Sequence, residues 1–140
     1  MKKQFVTYEI ALQLNDLNFD EPCFSCYDEK GMFALTIMSL KEFYTNSEED
    51  TWNCTAPLWQ QVIDWFRDKG DIEIIVSCSI GGFKYEINTI NSDYFPNNNI
   101  DGEIIGSMMG GVTITGYNST REKAIKEAIK LYIDIKKKNK

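Results

Sequence analysis

The chain has 140 residues, of which 43% are hydrophobic, 13% aromatic and 26% charged. These are the proportions of a globular domain, so wholesale disorder, collagen and coiled coil are excluded. The formal charge of −6 argues against a broad nucleic-acid or anionic-membrane surface. The absence of histidine removes Ser-His-Asp and Cys-His catalysis and every histidine-ligated metal site.

The first periodic segment runs from Thr7 to Leu17. Ile10, Leu14 and Leu17 recur at helical spacing with Ala11 beside them, Thr7 suits the N-cap, and Glu9 falls in the first turn. Asn18 and Asp20 suit the exit. Two apolar runs follow, Cys23 to Tyr27 and Met32 to Met38, around the polar Asp28-Glu29-Lys30-Gly31, which predicts a hairpin. Residues 45–53 are read as an exposed loop.

Pro57 then opens a second helix, with Leu58, Trp59, Val62, Ile63, Trp65 and Phe66 forming a wide apolar band and Gly70 closing it. Ile72 to Ile80 and Phe83 to Ile90 alternate around Gly81-Gly82, the signature of a tight hairpin. Residues 91–111 are read as a loop, with the path of Ile100 to Gly111 left open, and Val112 to Thr115 as a last strand. Ser119-Thr120-Arg121-Glu122 reads as a capping box for a final helix lined by Ile125, Ala128, Ile129 and Tyr132. Residues 136–140 form a basic tail.

The order predicts a single α+β domain over 1–140. Its expected form is a mainly antiparallel sheet of about five strands with three helices packed on it, a sandwich of αββαβββα-like order. A helix followed by a hairpin occurs twice, with little residue identity between the halves. No run approaches the ~18 apolar residues of a bilayer span. Polar Glu9, Asn15 and Asp16 interrupt any signal-peptide core after the basic start. A cytoplasmic chain with reduced cysteines is therefore expected.

Cys23-Phe24-Ser25-Cys26 has the spacing of a thiolate metal knuckle or a redox pair. Metal binding would need two more ligands, and Cys54 and Cys78 lie singly and far apart. Cys78 falls on the apolar side of its strand. The favoured reading is structural, with Cys23 and Cys26 kept as metal candidates and no cofactor expected. The glycine pairs Gly81-Gly82 and Gly110-Gly111 lack the setting of a phosphate-binding loop. The acidic run Glu48-Glu49-Asp50 reads as solvated surface. Trp59 and Trp65 are six residues apart and point to different sides of the second helix; core packing is the favoured reading for both, with a contact surface as the alternative for one of them. Trp52, Trp59, Met108 and Met109 are the interaction candidates, the methionines as an adaptable apolar loop.

Three blocks carry a resemblance: Tyr8 to Leu14 running into Leu17-Asn18-Phe19-Asp20-Glu21-Pro22-Cys23-Phe24, Ala56 to Arg67, and Ser119 to Ile125. Together they resemble small uncharacterised proteins of gut Bacteroidetes, their phages and mobile elements. The order of elements is also similar to small phage alpha-beta-alpha sandwich domains. Gly116 to Ala124 resembles the end of the core in HicB-type antitoxins, with no ribbon or helix-turn-helix DNA module alongside. The resemblance implies an origin rather than a mechanism. The expectation is a non-enzymatic protein acting through an unknown protein partner, with no nucleic acid, no membrane and a possible homodimer. The alternatives are a small ligand-binding or enzymatic module using carboxylates or cysteine, and an antitoxin-type inhibitor.

Overall fold

A computed structural model describes residues 2–35, 43–47, 52–79, 82–89, 103–109 and 114–138. The fold class is α+β. Helix α1 (Tyr8–Asp16) precedes strands β1 (Ser25–Tyr27), β2 (Phe33–Leu35) and β3 (Cys54–Thr55). Helix α2 (Trp59–Gly70) leads into β4 (Ile72–Ser79), β5 (Gly82–Thr89) and β6 (Glu103–Met109), and α3 (Ile114–Lys138) ends the described chain. The strands do not form one five-stranded layer. They form two antiparallel three-stranded sheets, ordered β2-β1-β3 and β4-β5-β6. One sheet places its first strand in the middle and the other is a simple meander, so the two helix-plus-strands segments are not copies of one design. Internal contacts gather into two compact units, Met1–Val62 and Ile63–Lys140.

In the first unit the start of α1 follows its sequence. Thr7 is extended, and its hydroxyl accepts from the Ile10 amide at 3.4 Å. The helix ends where Asn18 enters the left-handed region at φ 65° and the Phe19 amide returns to the Leu14 carbonyl at 3.0 Å. Asparagine tolerates that conformation because its short side chain bonds locally. Ile10, Ala11 and Leu14 are buried on the predicted face. The β1–β2 turn is tied by Asp28, whose Oδ1 accepts from the amides of Lys30 and Met32. Gly31 sits at φ 78° with the Tyr8 ring 3.0 Å from where a Cβ would stand, so a side chain there is excluded twice over. Tyr27 runs its hydroxyl to the Val6 carbonyl at 2.6 Å inside the unit.

Helix α2 begins at Trp59, two residues past Pro57, rather than on the proline. Gln61 folds back so that its Oε1 accepts from the Leu58 amide at 2.9 Å, half of a capping box without the usual hydroxyl partner. The wide apolar band is real: Trp59, Val62, Ile63, Trp65 and Phe66 are all buried.

In the second unit the Ser79↔Gly82 register confirms the β4–β5 hairpin. Ile72, Ile74, Tyr85 and Ile87 are buried, and burial fades toward the turn, where Cys78 faces solvent. Cys78 therefore lies in register with Phe83, as the alternation requires, but is not core. Part of the expected 91–111 loop is strand: Glu103–Met109 pairs antiparallel with β5. The expected strand over Val112 to Thr115 is also revised. Ile114 already belongs to α3, and residues 112–113 lie outside the described residues. Ser119-Thr120-Arg121-Glu122 thus falls inside the helix, and Thr120 donates to the Gly116 carbonyl at 2.8 Å instead of capping. The face of α3 is as read: Ala124, Ile125, Ala128, Ile129, Tyr132 and Ile135 are buried, with Leu131 beside them. Arg67 clips the end of α2 to β4 through paired bonds to Glu73, Nε–Oε2 at 2.7 Å and Nη2–Oε1 at 3.0 Å.

Gly70 does not end α2 by turning left-handed; Asp71 does so, at φ 53°. The glycine serves a close approach instead. A Cβ at position 70 would stand 2.9 Å from Cδ2 of Tyr132, whose ring lies 5.3 Å from the Trp65 ring and 5.9 Å from Phe66. Gly70→Ala should therefore lower stability by about 1–3 kcal/mol through overpacking, although alanine favours a helix by about 1 kcal/mol over glycine. A urea titration followed by circular dichroism measures this. A midpoint at or above the parent's would show that the ring yields freely.

Candidate functional site

The residues singled out for chemistry and contact fall into two groups, and the first unit holds the more informative one. A short antiparallel bridge joins Cys23 to Tyr44, with both backbone bonds at 2.8 Å. Side chains alternate across such a bridge. Cys23 and Tyr44 are buried, while their neighbours Phe24 and Phe43 are 46% and 44% exposed. The two phenyl rings meet outside with centroids 5.4 Å apart and planes inclined by 45°. Outward positions of a two-residue bridge ordinarily carry polar groups, so a contacting pair of exposed phenylalanines is the feature to explain.

The backing beneath the rings is firmly tied. Asn46 donates from Nδ2 to the Phe19 carbonyl at 2.6 Å, and its Oδ1 accepts from the Thr55 amide at 2.8 Å. Asp20 Oδ1 accepts from the Ser47 amide at 2.6 Å. The Tyr44 ring meets Trp52 edge-on at 4.6 Å. These contacts fasten residues 43–47 to residues 19–23 and hold the ring pair in place.

Behind the bridge lies a sulfur- and hydroxyl-rich interior. Cys23, Cys26 and Cys54 are buried and no disulfide joins the four cysteines. Cys26 stands opposite Thr55, and Tyr27 opposite Cys54. Burial pushes the Cys23 thiol up to about 12, with the Glu21 and Asp20 carboxylates adding to it and the Thr55 hydroxyl opposing. Burial likewise pushes Cys54 up to about 12, and Cys26 adds to it. Cys23 Sγ donates to the Glu21 carbonyl at 3.3 Å. The Ser25 and Thr55 side chains are fully buried beside these sulfurs. A thiol held neutral to such a pH is a poor nucleophile and a poor ligand, because both tasks need the thiolate. Among the described residues no three Cys, Asp or Glu side chains come together as a metal-holding group.

The named contact candidates are distributed differently from expectation. Trp59 is 6% exposed, and its indole N–H donates to the Lys3 carbonyl at 2.9 Å; Trp65 is as buried. Both tryptophans are core, as the favoured reading has it, and Trp59 is not the contact residue kept as its alternative. Trp52 is half-buried against Tyr44. Met108 and Met109 are strand residues, in register with Phe83 and Gly82, not the tip of an apolar loop. The acidic run Glu48-Glu49-Asp50 lies outside the described residues. Glu73 is held below the ordinary carboxylate range by its hydrogen bonds to Arg67, the wrong direction for a general acid. Phe24 and Phe43 are not among the sequence's contact candidates; the one signal for them is the alternation Cys23-Phe24-Ser25, which turns an aromatic outward if Cys23 points in.

Comparison of the chain with protein-family models, with curated proteins and with solved structures finds no match. Among the described residues, no helix is long and apolar enough to cross a membrane.

Proposed function

We propose that this chain is a non-catalytic protein-contact domain whose contact surface is built around Phe24 and Phe43. The observation that supports the reading is the exposed ring pair on a hydrogen-bonded backing. Aromatic side chains held rigidly at the surface give large apolar contact at little entropic cost, which is what interface hot spots require. The raised Cys23 and Cys54 thiols weigh against a cysteine-based enzyme reading. The origin among gut Bacteroidetes, their phages and mobile elements belongs to the same proposal and rests on the resemblance alone. An antitoxin-type inhibitor would be one form of it.

The test compares the intact chain with Phe24→Ser/Phe43→Ser as bait in an extract of the organism that encodes it. A polypeptide retained in near-equal amount by the parent and lost by the double variant is the expected result. Identical capture by both baits would remove the ring pair from any contact. The variant should lose about 1–3 kcal/mol of stability, because each ring is about half covered and the two touch, and circular dichroism of the bait checks that it stays folded.

A further inference from the structure

The charge of the chain is not shared evenly. Up to Val62 there are ten acidic and four basic residues, and beyond it eleven of each. The whole formal charge of −6 therefore belongs to the first unit, the one that carries the exposed ring pair. Exposed Asp20 and half-buried Glu21 precede Phe24 by four and three residues, and both carboxylates act on the buried Cys23 sulfur next to it. An apolar anchor beside Asp20 and Glu21, on a unit with an excess of six negative charges, complements a cationic partner. We propose that the Phe24–Phe43 pair is a docking site for a lysine- and arginine-rich polypeptide that lays an apolar side chain against the two rings.

Each part of the surface has a separate task in this arrangement. The unit's negative field gathers a cationic partner and raises the association rate, an effect that salt screens over a Debye length of about 10 Å at 0.1 M. The rings supply the short-range hold, by burying an apolar side chain and by offering their faces to a guanidinium or ammonium group. Phosphate-bearing ligands are repelled by the same field. The inference deepens the contact reading above and depends on it.

Three fluorescein-labelled peptides test it against the full chain by anisotropy: one rich in Lys and Arg with two central leucines, the same peptide with serines for the leucines, and the leucine peptide with Glu for every basic residue. The leucine-containing basic peptide should bind tightest, and the serine version about tenfold weaker. Both should weaken steeply between about 20 and 300 mM salt. Phe24→Ser/Phe43→Ser should bring the leucine peptide down to the serine peptide's level. Asp20→Asn/Glu21→Gln, which keeps the acceptor for Ser47, should reduce the salt dependence while leaving the leucine preference intact.

Equal binding of the leucine and serine peptides, preference for the acidic peptide, or no binding of any basic peptide would overturn the proposal. So would a concentration-dependent dimer in sedimentation that the phenylalanine variant abolishes, since the pair would then belong to a second copy. The two levels of the reading separate cleanly. Ring-dependent capture from extract without basic-peptide binding leaves the contact domain standing and removes the cationic partner. Loss of ring dependence in both assays removes both.

Discussion

Phe66→Ala should cost the protein about 3–5 kcal/mol, enough to unfold much of a marginally stable chain. Phe66 is fully buried. Its ring lies 5.2 Å from Trp65 and 5.9 Å from Tyr132, both near perpendicular, while Trp65 and Tyr132 are themselves 5.3 Å apart. The three rings form a closed triangle that joins the C-terminal half of α2 to α3. Deleting one corner removes the transfer energy of a phenyl ring and two edge-to-face contacts. It also leaves a cavity that stiff, mutually braced rings cannot fill by relaxing. Phe66→Leu should lose roughly 1–2 kcal/mol, because most of the volume remains. Urea titrations of the parent and both variants give the values. Equal, small losses for alanine and leucine would mean that the triangle collapses readily onto the gap and that its packing is not decisive.

The second unit was legible in the sequence to the extent that its elements are local. α2, the β4–β5 hairpin and the apolar line of α3 each declare themselves by their own period over eight or more residues. β6 did not, for a physical reason. Glu103-Ile104-Ile105-Gly106-Ser107-Met108-Met109 has no clean alternation and carries a glycine at its centre, so its strand character comes from pairing with β5. α3 starts upstream of the position that Ser119-Thr120-Arg121-Glu122, which satisfies a capping pattern, predicts. A pattern of four residues cannot tell whether the preceding turn is also helical, and Gly116 to Asn118 gave no signal against it. Gly70 illustrates the same limit. Its position at the end of the helix was readable, whereas its purpose depends on Tyr132, sixty-two residues later.

The first unit was less legible because its decisive pairings are non-local. The strands β1 and β2 are three residues each and β3 is two, too short for periodicity to register. Cys23 meets Tyr44 across twenty residues, and only that bridge determines which neighbours face out. Read alone, Cys23-Phe24-Ser25-Cys26 resembles a ligand motif. In the structure the chain bends at Phe24, and both cysteines turn inward as small soft groups. Nothing in the linear order places Phe43 against Phe24.

The same inward turn makes the chain sensitive to alkali. Cys23 and Cys54 rise from 9.0 to about 12, both chiefly through burial. Burial also raises the Tyr27 phenol. Below pH of about 9 these groups are protonated in the folded and unfolded chain alike, so they add no pH dependence. Between the ordinary thiol value and about 12 the unfolded thiols lose their protons while the folded ones retain them. The unfolded state then binds fewer protons, and stability falls as pH rises, on the order of 1 kcal/mol per pH unit for each thiol. The urea midpoint should accordingly drop steeply between about pH 9 and 11, while Cys23→Ala/Cys54→Ala should show a much flatter decline over the same range. Thiol titration with a disulfide reagent gives the companion result. Exposed Cys78 should react in the folded protein, and the three buried thiols should react only as urea unfolds it. If the double variant declined with pH as steeply as the parent, the alkaline loss would have to come from groups other than these thiols. If Cys23 reacted as fast as Cys78 near pH 8, the neutral, buried sulfur on which the structural reading of the cysteine pair depends would not exist.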